Sequence, residues 1–382
     1  MITLDSDRLL FSFLPLRAEL EARTRAWLDA KLAAATESQK AHLAGPRDEL
    51  DEEFLSLLPE FDAKVSFQRT LRIPDDGKDY ALPPGLGHFP LRHVDDFPRV
   101  PDAWKKRGGV MMPMHVTEAM WLSFSSEYPM ALKVGAGGIC AVSGERWSAT
   151  LHPRPQNYVV LPWQPWLDGF RVSEGVIRQF VAMPLGTGLT VEQQLTGEET
   201  WGGVQLQAFP MKPETYWSQT LRAKLERAWR SRGKPAEEYR YRGAKFSKCA
   251  AGAAAPAMGL GAGGRMKQEI TSDPHGLDSW STTITSRCFV HLCLAPDWRR
   301  LTGTRPPHRP PTAKDYTNAG LPWFDYHHGQ PAVPGETALT HVKSVNTLVG
   351  EKTGLTLPDN EPVEPGHVVV LKPRVGGEVR EF

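Results

Sequence analysis

The stretch Arg178-Gln179-Phe180-Val181-Ala182-Met183-Pro184-Leu185 has a counterpart at Arg287-Cys288-Phe289-Val290-His291-Leu292-Cys293-Leu294. Both stretches read Arg-x-Phe-Val-x-x-x-Leu, and the nearly continuous apolar run in each of them predicts a central β-strand. The two arginines lie 109 residues apart. This spacing is too long for a solenoid repeat and predicts an internal duplication into two small related domains.

Further shared landmarks surround the two strands in the same order along the chain. They are Gly-Gly-Val (108–110 and 202–204), Pro-Met before a Glu and a Trp (113–121 and 210–217), Gly-Ala-Gly-Gly (135–138 and 261–264), Leu-Asp (167–168 and 277–278) and Leu-Thr-Gly (195–197 and 301–303). The chain is rich in Gly, Pro and Trp, so a single match would be coincidence. Five ordered matches favour the duplication.

The pattern of the whole chain predicts an α+β protein with mostly antiparallel sheets. Residues 1–64 form a helical N-terminal segment, because apolar residues recur at three- and four-residue steps from 15 to 44. Residues 65–200 form a first α+β domain, and residues 201–303 form a second, related one. Residues 304–382 form a Pro-rich C-terminal extension that ends in a strand at 367–372.

Composition excludes several classes of function. The 382 residues carry a net charge of +1, which gives no strong field for nucleic acid or an anionic membrane. No apolar run is long enough to span a bilayer, and the N-terminus lacks the basic start of a signal peptide. Four cysteines do not make a disulfide framework in a chain of this length. We therefore expect a cytoplasmic protein without membrane insertion or a cofactor.

Two motifs suggest a nucleotide or a metal, and both have a simpler interpretation. Gly259 to Gly264 fits Gly-x-Gly-x-x-Gly, but no strand precedes it and no long helix follows, so a flexible loop is favoured. Cys288, His291 and Cys293 are too few for a closed zinc site, and the first copy lacks them. Core packing is favoured for these three residues, and order over Ala250–Gly264 stays open.

Two groups of residues are candidates for catalysis. His115 and Glu118 lie three apart, and Asp325, His327 and His328 follow an aromatic run. Either group could act as an acid–base pair or as metal ligands near neutral pH. In both copies an Arg begins the strand and an Asp lies in the turn before it. Arg178 with Asp168, and Arg287 with Asp278, are therefore expected to form structural ion pairs.

Aromatic loops supply the candidates for binding. Trp163 and Trp166 flank a Pro-rich turn, and Trp323 and Phe324 form a second aromatic run. Tryptophan gives a large contact area at a low cost in side-chain entropy, so these loops could hold a peptide or a sugar. The alternative is that the rings fill gaps between the two domains.

Segments 108–114, 178–186, 266–270 and 320–326 resemble those of an uncharacterised bacterial protein family. The resemblance covers most of residues 108–326 and implies no activity, substrate or site. Our leading hypothesis is a non-enzymatic binding or assembly protein, which could form a homo-oligomer, with a ligand that the sequence does not identify. The alternative is an enzyme, such as a metal-assisted hydrolase, with one site in the cleft between the copies.

Overall fold

The computed structural model describes residues 1–36, 47–231, 257–326, 331–358, 360, 362–363 and 366–371. Sixteen of the described strands belong to one sheet. They are β1 (Ile2–Asp5), β2 (Arg8–Ser12), β3 (Asp62–Thr70), β4 (Asp79–Tyr80), β5 (Arg92–His93), β6 (Val110–Met114), β7 (Ala119–Ser126), β8 (Met130–Ala136), β9 (Ile139–Cys140), β10 (Val159–Leu161), β11 (Trp166–Leu167), β12 (Gly169–Ser173), β13 (Val176–Pro184), β14 (Val204–Pro210), β15 (Ala257–Lys267) and β16 (Ser286–Leu294).

Most neighbouring strands in this sheet run antiparallel. The main path through it is β1-β2-β3-β7-β13-β15-β16-β14-β8-β10. Only the β4–β15 and β6–β16 pairs of this sheet are parallel among the described strands. The α+β class and the mostly antiparallel sheet are therefore confirmed.

Nine described α-helices lie around the sheet. They are α1 (Leu14–Ala34), α2 (Arg47–Leu55), α3 (Asp102–Arg107), α4 (Val191–Thr196), α5 (Pro213–Tyr216), α6 (Arg222–Ser231), α7 (Ala295–Thr302), α8 (Ala313–Ala319) and α9 (Val345–Thr353). A π-helical turn, Trp217–Leu221, joins α5 to α6. No described helix has the length and apolar character that crossing a membrane requires.

Residues Gly259–Gly264 were expected to form a flexible loop, but they lie at the centre of the sheet. These residues lie within β15, which pairs with β13 over most of its length. A Cβ atom at Gly261 would collide with Val345 of α9, and one at Gly264 would collide with the backbone oxygen of Pro74. The glycines therefore allow close packing on the sheet, and no helix follows them to hold a pyrophosphate. The earlier part of the predicted small-residue run, 250–256, lies outside the described residues.

The two ends of the chain differ in part from the prediction. Residues 2–12 form the hairpin β1–β2 before α1, so the N-terminal segment is not wholly helical. The predicted final strand is confirmed as β18 (Val368–Leu371). It pairs in parallel with β17 (Trp323–Tyr326), and together they form a second, two-stranded sheet.

The shared landmarks of the predicted duplication lie partly in the same kind of element. Both Arg-x-Phe-Val stretches form strands that flank β15, and each Leu-Thr-Gly ends a helix at a glycine with positive φ. Glu118 and Trp121 lie in a strand, however, whereas Glu214 lies in α5 and Trp217 in the π-helical turn. Strands from 65–200 and 201–303 share one sheet, and the duplication stays a prediction.

Candidate functional site

Three of the four aromatic residues predicted to bind a ligand lie together. Trp323 is buried in a hydrophobic cluster that also contains Tyr80 and Tyr316, and Trp166 and Phe324 pack against this cluster. Trp121, which the sequence analysis did not single out, packs there as well. We call Trp121, Trp166, Phe324 and Tyr326 the aromatic cluster, because the Tyr326 ring lies 5.0 Å from that of Trp166.

The backbone around Trp166 places Asp168 next to this aromatic cluster. In the antiparallel β7–β11 pair, Leu167 lies opposite Leu122. Asp168 follows Leu167 and Trp121 precedes Leu122, so Asp168 and Trp121 are neighbours across the two strands. Gln268 fixes the local backbone, because its Oε1 accepts from the Asp168 amide at 3.0 Å and its Nε2 donates to the Trp166 carbonyl at 3.1 Å.

Within the described part of the chain, the fully buried Asp168 carboxyl group makes no hydrogen bond of normal geometry. The buried indole nitrogens of Trp121 and Trp166 have no partner of normal geometry there either. Burial raises the pKa of Asp168 well above its usual value, and the Trp166 indole lowers the pKa by a smaller amount. A buried group without a partner costs about 1–3 kcal/mol, so three of them in one place mark an unusual site.

The predicted pairing of each Asp with the Arg of its strand is wrong for Asp168. Arg178 instead bonds to Asp75, with its Nη1 3.2 Å from Oδ1. Ser344 and Thr347 also donate to Asp75, so this ion pair joins the sheet to α9. In the second stretch, Arg287 and Asp278 are both exposed.

Trp163, the fourth predicted binding residue, lies away from the aromatic cluster and is 41% exposed. Its indole Nε1 donates to Nε2 of His275 at 3.4 Å. Nδ1 of His275 lies 3.1 Å from Oε1 of Gln219, which only accepts, so the proton of the neutral ring is on Nδ1. Burial lowers the pKa of His275, while Asp273 opposes this change.

His115 and Glu118 are close together, but they hold a neighbouring segment in place. Glu118 accepts from the His115 amide at 2.9 Å and from Nε of Arg69 at 2.8 Å. Arg69 also donates to the carbonyls of His308 and Arg309, and Nε2 of His115 donates to the Pro307 carbonyl at 3.1 Å. These contacts fix residues 307–309 on the sheet. Burial raises the pKa of Glu118, and Arg69 opposes this effect.

The remaining candidates do not form a metal centre among the described residues. Asp325 lies in β17, whereas His327 and His328 lie outside the described residues. Cys288 and Cys293 belong to different hydrophobic clusters. His291 stacks on Trp104 at 4.6 Å, and burial lowers its pKa to about 4. All three lie in the interior, as the core-packing interpretation expected.

A separate surface pocket of about 140 Å³ has two tryptophans in its wall. The indole of Trp147 packs on Gly135, and that of Trp201 packs on Gly138, so the glycine turn between β8 and β9 supports both rings. Glu192 of α4 fixes the opposite loop by accepting from the amides of Trp201 and Gly202 at 2.7 and 2.8 Å. We call this the tryptophan pocket.

Two groups lie against the Trp201 ring. One is Gly138, and the other is the Arg107 guanidinium, which lies over the ring, 5.0 Å from its centroid. Arg107 also donates to the Trp201 carbonyl at 2.9 Å. Trp201 is nevertheless 47% exposed. Its indole N–H makes no hydrogen bond within the described residues, so it can donate to a ligand.

Charged side chains complete the wall of the tryptophan pocket. The exposed guanidinium of Arg146 and the exposed carboxylate of Glu198 both line it. Within the described part of the chain, neither group makes a side-chain hydrogen bond or an ion pair. Two donors, the Arg146 guanidinium and the Trp201 indole, are thus available to a ligand, with one carboxylate at the rim.

Comparisons with protein-family models, with curated proteins and with solved structures found no match. The function therefore has to be inferred from the two sites. Sequence reasoning missed the functional candidates Trp121, Arg146, Trp147 and Trp201, which share no motif and, apart from the adjacent Arg146 and Trp147, lie far apart in the sequence. The one available signal was the Gly135–Gly138 turn, because a turn without side chains leaves room for large rings.

Proposed function

We propose that this chain is a non-enzymatic protein-binding protein, and that the tryptophan pocket anchors an acidic side chain of its partner. The observation that carries the proposal is the exposed Arg146 guanidinium without an acid partner in the described chain, in a pocket that the partly exposed Trp201 also lines. Trp and Arg are the residues that dominate binding energy at protein interfaces. A guanidinium and an indole N–H both donate to a carboxylate.

The size of the pocket supports a single side chain as the occupant. Pockets for drug-sized ligands and cofactors hold about 300–1,000 Å³, whereas this one holds about 140 Å³. Stacking of a sugar on Trp201 is disfavoured, because Gly138 and the Arg107 guanidinium already lie against that ring.

The positions of the titratable groups favour binding over catalysis. An active site should bring together several groups with shifted pKa values in one pocket. Asp168, Glu118 and His291 have shifted pKa values, but none of them lines the tryptophan pocket. They do not line the larger groove of about 450 Å³ between α1 and α2 either.

Charge-matched peptides test this proposal. Three blocked tripeptides, with Glu, Gln or Lys between two glycines, are titrated while the indole N–H resonances of Trp147 and Trp201 are followed by NMR. We expect saturable shifts with the Glu peptide alone. Arg146→Gln should weaken that binding about tenfold or more, since a hydrogen bond to a charged group contributes about 1.5–3 kcal/mol.

Glu198→Gln is the matched control, and its expected effect on the affinity is opposite to that of Arg146→Gln. It removes a like charge from the rim, so it should strengthen binding of the Glu peptide, whereas Arg146→Gln should weaken it. Tighter binding of the Lys peptide, or the reverse response of the two variants, would show that the pocket takes a cation. Equal binding of all three peptides would refute an anchor for acidic side chains.

A further inference from the structure

We propose that Asp168 and the aromatic cluster form a second binding site, whose ligand is a small organic cation with a methylated ammonium group. The site is independent of the tryptophan pocket. It rests on a buried carboxyl group whose oxygens make no hydrogen bond of normal geometry within the described chain, and on its neighbours Trp121 and Trp166, which belong to the aromatic cluster.

Asp168 lacks a cationic partner. No described Arg, Lys or His contributes to the pKa of this carboxyl group; burial and the Trp166 indole are the causes of its shift. The buried side chain of Gln179, by contrast, accepts from the Ile73 amide at 2.8 Å and donates to the Leu71 carbonyl at 2.9 Å. Among the described residues, the buried side-chain atoms without a partner are the two Asp168 oxygens, the indole nitrogens of Trp121 and Trp166, and Nε of Arg171.

Trp121 and Trp166 lie beside Asp168, and Phe324 and Tyr326 belong to the same aromatic cluster. A cation over an aromatic face is stabilised by about 2 kcal/mol once it is desolvated. The ligand supplies the positive charge that the chain does not. The buried indole N–H groups of Trp121 and Trp166 then donate to the ionised Asp168 carboxylate. A methylated ammonium suits this site because it needs few hydrogen-bond acceptors.

The site can be reached from the surface. The aromatic cluster extends to the surface, because Trp121, Trp166, Phe324 and Tyr326 are each partly exposed. Phe324 and Tyr326 lie on the small sheet of β17 and β18, which is hydrogen-bonded to the rest through Leu82. The ligand enters by displacing Tyr326 from Trp166, while the main sheet keeps Asp168 in place.

Choline is the probe, and 3,3-dimethyl-1-butanol is its uncharged analogue of the same shape. Isothermal titration of the full-length protein should show saturable binding of choline at millimolar concentrations. Binding of the uncharged analogue should be at least about tenfold weaker, which corresponds to about 1.4 kcal/mol. Asp168→Asn, which has nearly the same shape and no charge, should weaken choline binding by at least about the same factor.

Two further variants keep the test decisive. Tyr326→Leu removes one ring without touching the carboxyl and should weaken choline binding severalfold. Trp201→Ala alters only the tryptophan pocket and should leave choline binding unchanged, so the two proposals fail separately. Equal affinities for choline and its uncharged analogue, or full choline binding by Asp168→Asn, would overturn the cation site. So would the absence of saturable choline binding.

Discussion

Glu118 and Asp168 both carry buried carboxyl groups, but the two groups differ in their hydrogen bonding. Glu118 is 1% exposed and accepts from Arg69 and from the His115 amide. Asp168 is 0% exposed, and its oxygens make no hydrogen bond of normal geometry within the described chain. A buried charge with a purely structural role needs partners that offset its lost hydration. The Glu118 carboxyl therefore joins segments of the chain, whereas the Asp168 carboxyl is available to a ligand.

Removing the partner of Glu118 should have the largest effect. Arg69→Met leaves a buried carboxylate without its cation, so we expect the free energy of unfolding to fall by about 3–5 kcal/mol. Urea denaturation at pH 7 measures it. The double variant Arg69→Met/Glu118→Gln should recover much of the loss, because the remaining group is neutral. If the single variant lost less than about 1 kcal/mol, Glu118 would not depend on its partner. The contrast with Asp168 would then be wrong.

His291 extends the comparison to a buried base. Its pKa is about 4 in the folded protein and about 6.5 when unfolded, so the unfolded chain binds the extra proton between these values. The neutral His291 side chain contributes about 3 kcal/mol to the free energy of unfolding above pH 6.5. This contribution is lost as the pH falls to 4. Nε2 of His291 donates to the Gly108 carbonyl at 3.0 Å, and His291→Gln keeps a donor there but does not titrate. Urea denaturation at pH 7 and 4.5 should therefore show a smaller acid loss for this variant.

Asp168 should show the opposite dependence on pH. Its pKa is raised in the folded state, so its contribution to stability is complete below the ordinary value near 3.8 and is lost as the pH rises through the folded value. Asp168→Asn cannot ionise. We expect equal stability near pH 4 and an advantage of about 1–3 kcal/mol for the variant at pH 8, measured by urea denaturation. A variant that is less stable at pH 8 would mean that the carboxylate has a partner after all.

The smallest expected effect concerns His275, which is only half-buried. Protonation of its Nε2 removes the acceptor for the Trp163 indole, a bond worth about 1 kcal/mol or less. Because burial lowers the pKa of His275, the change in Trp163 emission should occur below pH 6.5. The difference in fluorescence between the wild type and Trp163→Phe isolates this residue. A difference spectrum that does not vary with pH would contradict the bond.

Local patterns in the sequence predicted many elements well. The strands predicted at Arg178–Leu185 and Arg287–Leu294 are present as β13 and β16, and the predicted final strand is present as β18. Each depends on interactions between near neighbours in sequence, such as an apolar run. Gly259–Gly264 was assigned wrongly, because a glycine-rich strand is stable only when neighbouring strands and α9 close around it.

For the sites, the sequence by itself identified Trp166, Trp323 and Phe324, because ring chemistry is visible in the residue type. Only the tertiary structure brought these rings into one cluster and showed that Arg178 pairs with Asp75 instead of Asp168. Likewise, only the fold assembled Trp147, Arg146 and Trp201 into a pocket. The physical reason is that burial and pairing of charges depend on contacts between residues tens to hundreds of positions apart, which local spacing does not encode.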